Sequence, residues 1–252
     1  MKLTVVGCSG SLPRPDSAAS CYLVEAPHGG RTFRLLLDLG SGAIGALQSY
    51  VDLRTVDAVA LTHLHPDHCL DLCGLYVVRK FQHGGKLERI PVFGPAGTAA
   101  RMARAYDMDP EPGMSGEFNF REYGGRPFDL GPFVVETTRM DHPVEAYALK
   151  LSIGGRTLVY SGDTGPCAAL EEIAKGADLL VAEASFLEGG DNPEHLHMTG
   201  REAATIATRA GVDQLVLTHV PPWHDRGAVL AEAAPHFAGA VSLARPGLSL
   251  TL

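Results

Sequence analysis

No apolar run in the chain approaches the roughly 20 residues that a membrane-spanning helix needs, so no bilayer-crossing helix is expected. Nor does a basic stretch followed by an apolar one open it. Met1–Gly7 runs straight into a strand-like pattern, which argues against a secretory signal. Cysteine is sparse: Cys8, Cys21, Cys69, Cys73 and Cys167 are odd in number and scattered. That excludes a disulfide framework and points to reduced thiols in a cytoplasmic protein. Cys69 and Cys73, four apart on an expected helix, have no second pair to complete a zinc site and are read as structural thiols. Basic residues are also few, 21 against 29 acidic ones, and they form no cluster. Large RNA is gripped through many phosphate contacts to basic surface, so such a partner is disfavoured at a net charge of −8. A small anionic substrate held by metal ions stays compatible. Repeats and low-complexity linkers are missing too, so residues 1–252 are expected to form one domain with a substantial core.

What is present is a pattern of short apolar strands interleaved with helices. Leu3–Val6, Cys21–Glu25, Phe33–Asp38 and Val56–Leu61 read as strands in the first half, with helices around Leu70–Phe81 and Thr98–Tyr106. The second half repeats the theme with strands at Phe133–Met140, Tyr147–Ile153 and Thr157–Ser161. Gly154-Gly155 forms a two-residue turn between the last two. Leu179–Glu183 and Leu215–Thr218 have the length of buried strands. Pro166 is suited to the first turn of a helix over Cys167–Lys175 that stops at Gly176. Thr199-Gly200-Arg201-Glu202 spells a capping box for a helix ending at Gly211. Two strand-rich halves with outer helices predict an α/β protein of two packed sheets. Residues 107–117, acidic and rich in Pro and Gly, read as an exposed connection or as a lid beside the active site.

The chemistry is concentrated in Thr62-His63-Leu64-His65-Pro66-Asp67-His68. His63 and His65 are two apart at the end of a strand, so both imidazoles fall on one side and can grip one metal. After Pro66 the chain must turn, bringing Asp67 and His68 to a second ion. Two ions about 3.5–4 Å apart form the usual platform for metal-assisted hydrolysis. Four ligands do not complete two sites. His142, Asp163 and His219 each follow an expected strand, where α/β sheets tend to place their sites, and Asp163 has two oxygens with which to bridge. Histidine and carboxylate ligation suits two divalent ions, Zn first, with Mn or Fe as alternatives.

His-x-His-x-Asp-His, a distant His, Gly162-Asp163-Thr164 and a final Thr218-His219 resemble the metallo-β-lactamase superfamily over essentially the whole chain. The resemblance implies a four-layer αββα sandwich. It places His63, His65 and His142 on one metal, Asp67, His68 and His219 on the other, and Asp163 between them. His65 and Asp163 set aside the redox di-iron members and the main zinc lactamases, which replace those positions. Tyr160–Thr164, Ala182–Phe186 and His197-Met198-Thr199 resemble segments of ribonuclease Z-like proteins, which implies a catalytic dyad of Glu183 and His197. Ribonuclease Z carries an arm between the third-motif His and the bridging Asp, whereas only Pro143–Gly162 separates His142 from Asp163 here.

Val6–Ser11, His68–Leu72 and Thr218–Trp223 are similar to actinobacterial members that resemble cyclic-nucleotide phosphodiesterases. Hydrolysis of 3′,5′-cyclic AMP to the 5′-monophosphate is the implied activity. A metal-activated hydroxide would attack, Asp67 would orient it, and His197 steered by Glu183 would protonate the leaving oxygen. A ribonuclease Z-type endonuclease and a thioester or lactone hydrolase are the alternatives. A non-catalytic metal-binding module would be expected to lack some of these ligands. Homodimers are common in this group. Gly40-Ser41-Gly42 reads as a loop near the metals, and Trp223 as a packed aromatic behind the site or a stacking surface for a base.

Overall fold

The computed structural model describes residues 1–85 and 87–252. The strands, in chain order, are β1 (Lys2–Ser9), β2 (Ala18–Ala19), β3 (Cys21–His28), β4 (Arg31–Leu37), β5 (Ala58–Ala60), β6 (Ile90–Gly94), β7 (Phe118–Glu122), β8 (Phe128–Leu130), β9 (Phe133–Arg139), β10 (Tyr147–Ile153), β11 (Arg156–Tyr160), β12 (Leu179–Glu183), β13 (Gln214–Thr218), β14 (Ala240–Leu243) and β15 (Ser249–Thr251). The α-helices are α1 (Ala43–Leu47), α2 (Pro66–Cys69), α3 (Leu72–Phe81), α4 (Thr98–Ala105), α5 (Ala168–Ile173), α6 (Gly200–Ala210) and α7 (Arg226–Ala233). One sheet runs β15-β1-β3-β4-β5-β6-β7, with β2 against β1; the other runs β14-β13-β12-β11-β10-β9-β8.

The layering follows from side chains alternating along each strand. Leu35 and Leu37 of β4 enter an inner core shared with Leu149, Leu151, Leu179 and Val181 of the other sheet. Leu36, between them, turns outward to pack with Leu47, Leu72, Leu75 and Met102 of α1, α3 and α4. In the second sheet Leu180 and Leu217 turn outward to meet α5, α6 and α7 through Leu170, Ala203, Ala207 and Val229. Three separate apolar cores are what four layers require. The αββα sandwich expected from sequence is therefore the observed architecture.

Turn and cap chemistry explicit in the sequence reappears in the structure. Ile153 pairs with Arg156 across Gly154-Gly155, both with positive φ, as a two-residue hairpin demands. This β10–β11 hairpin fills the interval between His142 and Asp163. Thr199 Oγ1 accepts from the Glu202 amide at 3.2 Å, and Glu202 Oε2 accepts from the Thr199 amide at 2.9 Å, completing the capping box. Thr199→Ala should cost about 1 kcal/mol and lower Tm by about 2–4 °C, read by calorimetry.

Boundaries shifted elsewhere. The helix expected over Leu70–Phe81 is α3, which starts two residues later, and a separate single turn α2 begun by Pro66 precedes it. Pro66 presets the first turn, and the Asp71 carboxylate accepts from the Ile44 amide at 2.8 Å where the two elements meet. The helix after Pro166 is shorter than expected: Cys167 is extended and serves as its N-cap, so Pro166 lies outside. Within residues 107–117, Met114 is buried among the side chains of the first helix layer. Backbone bonds tie Met108 to Ala103 and Phe118 to Met114. That anchoring favours the exposed connection over the lid, since most of the stretch stays exposed.

Candidate metal centre

The pole of the sandwich at the carboxyl ends of β4, β5, β11, β12 and β13 gathers the polar residues. β5 delivers Thr62 and His63, β11 delivers Asp163, β12 ends on Glu183, and β13 delivers His219. His142 arrives just after β9, and the single turn of α2 carries Asp67 and His68 with His65 at its N-cap. His63, His65, His142 and Asp163 form one group whose ligand atoms all lie within 4.8 Å of one another, and Asp67, His68, Asp163 and His219 form a second. All seven candidate ligands read from sequence are thus brought together.

Asp163 belongs to both groups through different oxygens. Its Oδ2 lies 3.6 Å from His63 Nε2, while Oδ1 lies 3.2 Å from His68 Nε2 and 3.5 Å from His219 Nε2. In the first group His65 Nδ1 is 2.9 Å from His63 Nε2 and 3.4 Å from His142 Nε2. In the second, His68 Nε2 and His219 Nε2 are 3.0 Å apart, and Asp67 Oδ2 is 3.1 Å from His219 Nε2.

The far nitrogens explain why these atoms face inward. His63 Nδ1–H donates to Thr62 Oγ1 at 3.1 Å, His68 Nδ1–H to Asp38 Oδ2 at 2.7 Å, His142 Nδ1–H to Leu196 O at 3.0 Å, and His219 Nδ1–H to Ser185 Oγ at 2.8 Å. With each Nδ1 carrying the proton, each Nε2 presents a lone pair to the centre. Lone pairs facing one another repel unless a cation lies among them. Two nitrogens bound at about 2.0–2.1 Å to a tetrahedral ion sit about 3.3 Å apart, close to the spacings seen. Asp163 Oδ1 is buried without a hydrogen-bond partner among the described residues, which a cation would satisfy. The donor set fits two divalent ions.

Electrostatics agree. Burial opposes ionisation of Asp163, but the imidazoles of His219, His68 and His63 hold its carboxyl well below the usual range. Burial, reinforced by neighbouring histidines, lowers His63, His65 and His142, keeping them in the neutral form a ligand needs. Burial also pulls on His68, yet Asp163 and Asp38 carry it well above its ordinary value. Carboxylates there create a field that favours positive charge.

Sequence reasoning passed over Asp38 as a functional residue. It is fully buried after β4 and has a positive φ of 56°. Its carboxylate accepts from the Thr62 amide at 2.7 Å, from Thr62 Oγ1, from His68 Nδ1 and from Tyr160 Oη at 2.8 Å. One buried carboxylate therefore orients His68 directly and His63 through Thr62. A charged residue ending a triple-Leu strand was the available signal. Asp38→Asn keeps the shape but loses the charge and an acceptor, and should weaken metal affinity about 10–100-fold, measured by competition with a chromogenic chelator. Gly40 is a matter of contact: its amide donates to Ser20 O at 2.9 Å, and an added Cβ would fall 1.8 Å from Asp67 O. Its place is structural, keeping the α2 turn close.

Glu183, fully buried, and His197, partly buried, meet as a pair. His197 Nδ1–H donates to Glu183 Oε1 at 2.7 Å, with side-chain exposures of 13% and 0%. Glu183 also accepts from the amides of Thr164, Ser185 and Met198, so its orientation is fixed. Burial lowers the His197 pKa, but the Glu183 carboxylate outweighs it and raises the value to about 9. The ring stands 5.7 Å from that of His142 and 5.5 Å from that of His219, between the two clusters. Trp223, in contrast, is 62% exposed, which rules out the packed-aromatic reading.

Fold and clusters together define the class, a metallo-hydrolase built on an αββα sandwich. Residues 34–220 match the family described as the beta-lactamase superfamily domain, and the chain belongs to the metallo-β-lactamase superfamily. It is 42% identical over 247 residues to an uncharacterized protein of Mycobacterium leprae, covering 96% of this chain and 85% of that one. It is 32% identical over 254 residues to the probable metallo-hydrolase YhfI of Bacillus subtilis, covering 98% of each. The crystal structure of that YhfI superposes with a TM-score of 0.88 at 29% identity over 99% of both chains. A ribonuclease Z of Myxococcus xanthus is 30% identical over 309 residues, covering 100% of this chain and 98% of its own. Among the described residues no helix is long and apolar enough to cross a membrane.

Proposed function

We propose that the chain, acting as one domain, is a phosphodiesterase for small substrates, with 3′,5′-cyclic nucleotides such as cyclic AMP opened to their 5′-monophosphates. The observation carrying this reading is the Glu183–His197 pair standing beside both candidate metal groups. Ions held by His63, His65, His142, Asp67, His68, His219 and a shared Asp163 would supply positive charge against the phosphate and acidify water. The chain's own residues provide the rest. Asp67, held ionised by His219 and His68 despite its burial, orients the attacking water through a carboxylate oxygen. As the new oxygen–phosphorus bond forms, the opposite ester bond breaks, and its oxygen takes a proton from His197 Nε2. Glu183 keeps that imidazole charged and aimed.

Small substrates are favoured because only the β10–β11 hairpin occupies the stretch between His142 and Asp163, and because the chain's charge is −8. Ribonuclease Z-type cleavage is the second reading, supported by the 30% identity to the Myxococcus xanthus enzyme. One assay tests both: cyclic AMP, precursor tRNA and an acyl thioester offered to protein loaded in turn with Zn, Mn and Fe. Turnover of cyclic AMP well above the other two is expected. Preferential cleavage of precursor tRNA would overturn the small-substrate reading, and preferential thioester turnover would overturn the phosphodiesterase itself.

A further inference from the structure

A cavity of about 360 Å³ opens on the outer side of His197, a size within the usual range for small-molecule sites. The connection from Glu183 to His197 builds most of its wall. Both ends of that connection are pinned in the dyad, and its Leu196 carbonyl holds His142. Phe186 is seated by a backbone bond to Met198 O at 3.0 Å, and its ring stands edge-on to His197 with centroids 5.2 Å apart. Pro166 and Pro193 add flat apolar surface. On the rim His195 holds a φ of 62°, unusual for a residue with a side chain. Its Nδ1–H donates to Asp141 at 2.8 Å, and Nε2, 3.9 Å from Glu194 Oε2, is beyond hydrogen-bond distance of that carboxylate. Gly165 is packed beneath this pair, where a Cβ would come within 3.2 Å of the His195 backbone.

We propose that this cavity is a nucleoside subsite, in which Phe186 stacks the base and His195, steadied by Asp141, hydrogen-bonds the sugar. The inference rests on the phosphodiesterase reading for its orientation: a phosphate at the clusters places the organic part of the ester beside His197. An aromatic ring with flat apolar walls suits a planar heterocycle, since every base has a π-face and stacking needs no particular sequence. A polar group fixed at the rim suits a sugar hydroxyl, because the few polar groups of such pockets set orientation. Phe186 and His195 are specificity residues on this account, with no part in the bond-breaking step.

Binding decides the point without reading activity. AMP, ribose 5-phosphate and inorganic phosphate are titrated calorimetrically into metal-loaded wild type and into Phe186→Ala, Phe186→Leu and His195→Ala. In wild type AMP should bind about ten-fold more tightly than ribose 5-phosphate. That gap should close in both Phe186 variants, while phosphate binds as before. His195→Ala should weaken AMP and ribose 5-phosphate alike and leave phosphate unchanged. Equal binding of AMP and ribose 5-phosphate by wild type, or a gap that survives both Phe186 variants, overturns the subsite. Turnover of bis(p-nitrophenyl) phosphate, measured separately, reports on the phosphodiesterase reading alone.

Discussion

Replacing Asp163 with alanine should bring phosphodiester hydrolysis down to the uncatalysed background and remove metal from both groups together. Each oxygen of this carboxylate faces a different set of imidazole nitrogens, and of the seven candidate ligands only Asp163 belongs to both groups. The structural signature should be as clear as the kinetic one. Wild-type protein should gain stability as metal is added, by about 2.7 kcal/mol for each ion at a hundred-fold excess over its Kd. Asp163→Ala should show little of that gain in a thermal melt. Asp67→Ala is expected to be milder in metal content, because Asp67 stands in the second group only. Retention of two tightly held ions by Asp163→Ala would remove the bridge from the account.

His197→Ala should give the second largest effect, with the opposite split between chemistry and binding. A positioned acid contributes about 10²–10⁴-fold to a proton-transfer step, so kcat should fall within that range. Metal content, by mass spectrometry, and KM should stay near wild type. His197 lies outside the two groups that share Asp163, so losing the ring should cost those groups no ligand. Glu183→Gln should reproduce part of the loss by leaving the imidazole less basic. A substrate with a p-nitrophenolate leaving group, which departs without protonation, should be affected much less than an alkyl ester. Equal losses on both substrates would make the residue structural, and loss of metal would make it a ligand.

How much of this was legible in the sequence depended on whether the chemistry was local. His63, His65, Asp67 and His68 declare themselves because six residues of strand end and single helical turn confine them to one place. His142, Asp163 and His219 could be added because each follows an apolar run of strand length. The partners of these residues were hidden for a physical reason. Asp38 acts on Thr62 and His68 across separations of 24 and 30 residues that only the sheet order defines. The partner of His142 is a backbone carbonyl, Leu196 O, which any residue would supply. Strand pairing was similarly unreadable, since alternation shows which face is apolar and not which strand lies beside it. For Trp223 the sequence leaves a packed aromatic and a stacking surface both open, and its exposure removes the first.

The central claim is that this chain holds a dinuclear site that performs phosphodiester hydrolysis. The most direct measurement is metal stoichiometry by inductively coupled plasma mass spectrometry, followed on the same sample by turnover of bis(p-nitrophenyl) phosphate before chelation, after chelation and after metal is restored. The account predicts two ions per chain, loss of activity with the metal, and recovery on its return. A single ion per chain, or turnover that survives complete chelation, would contradict it.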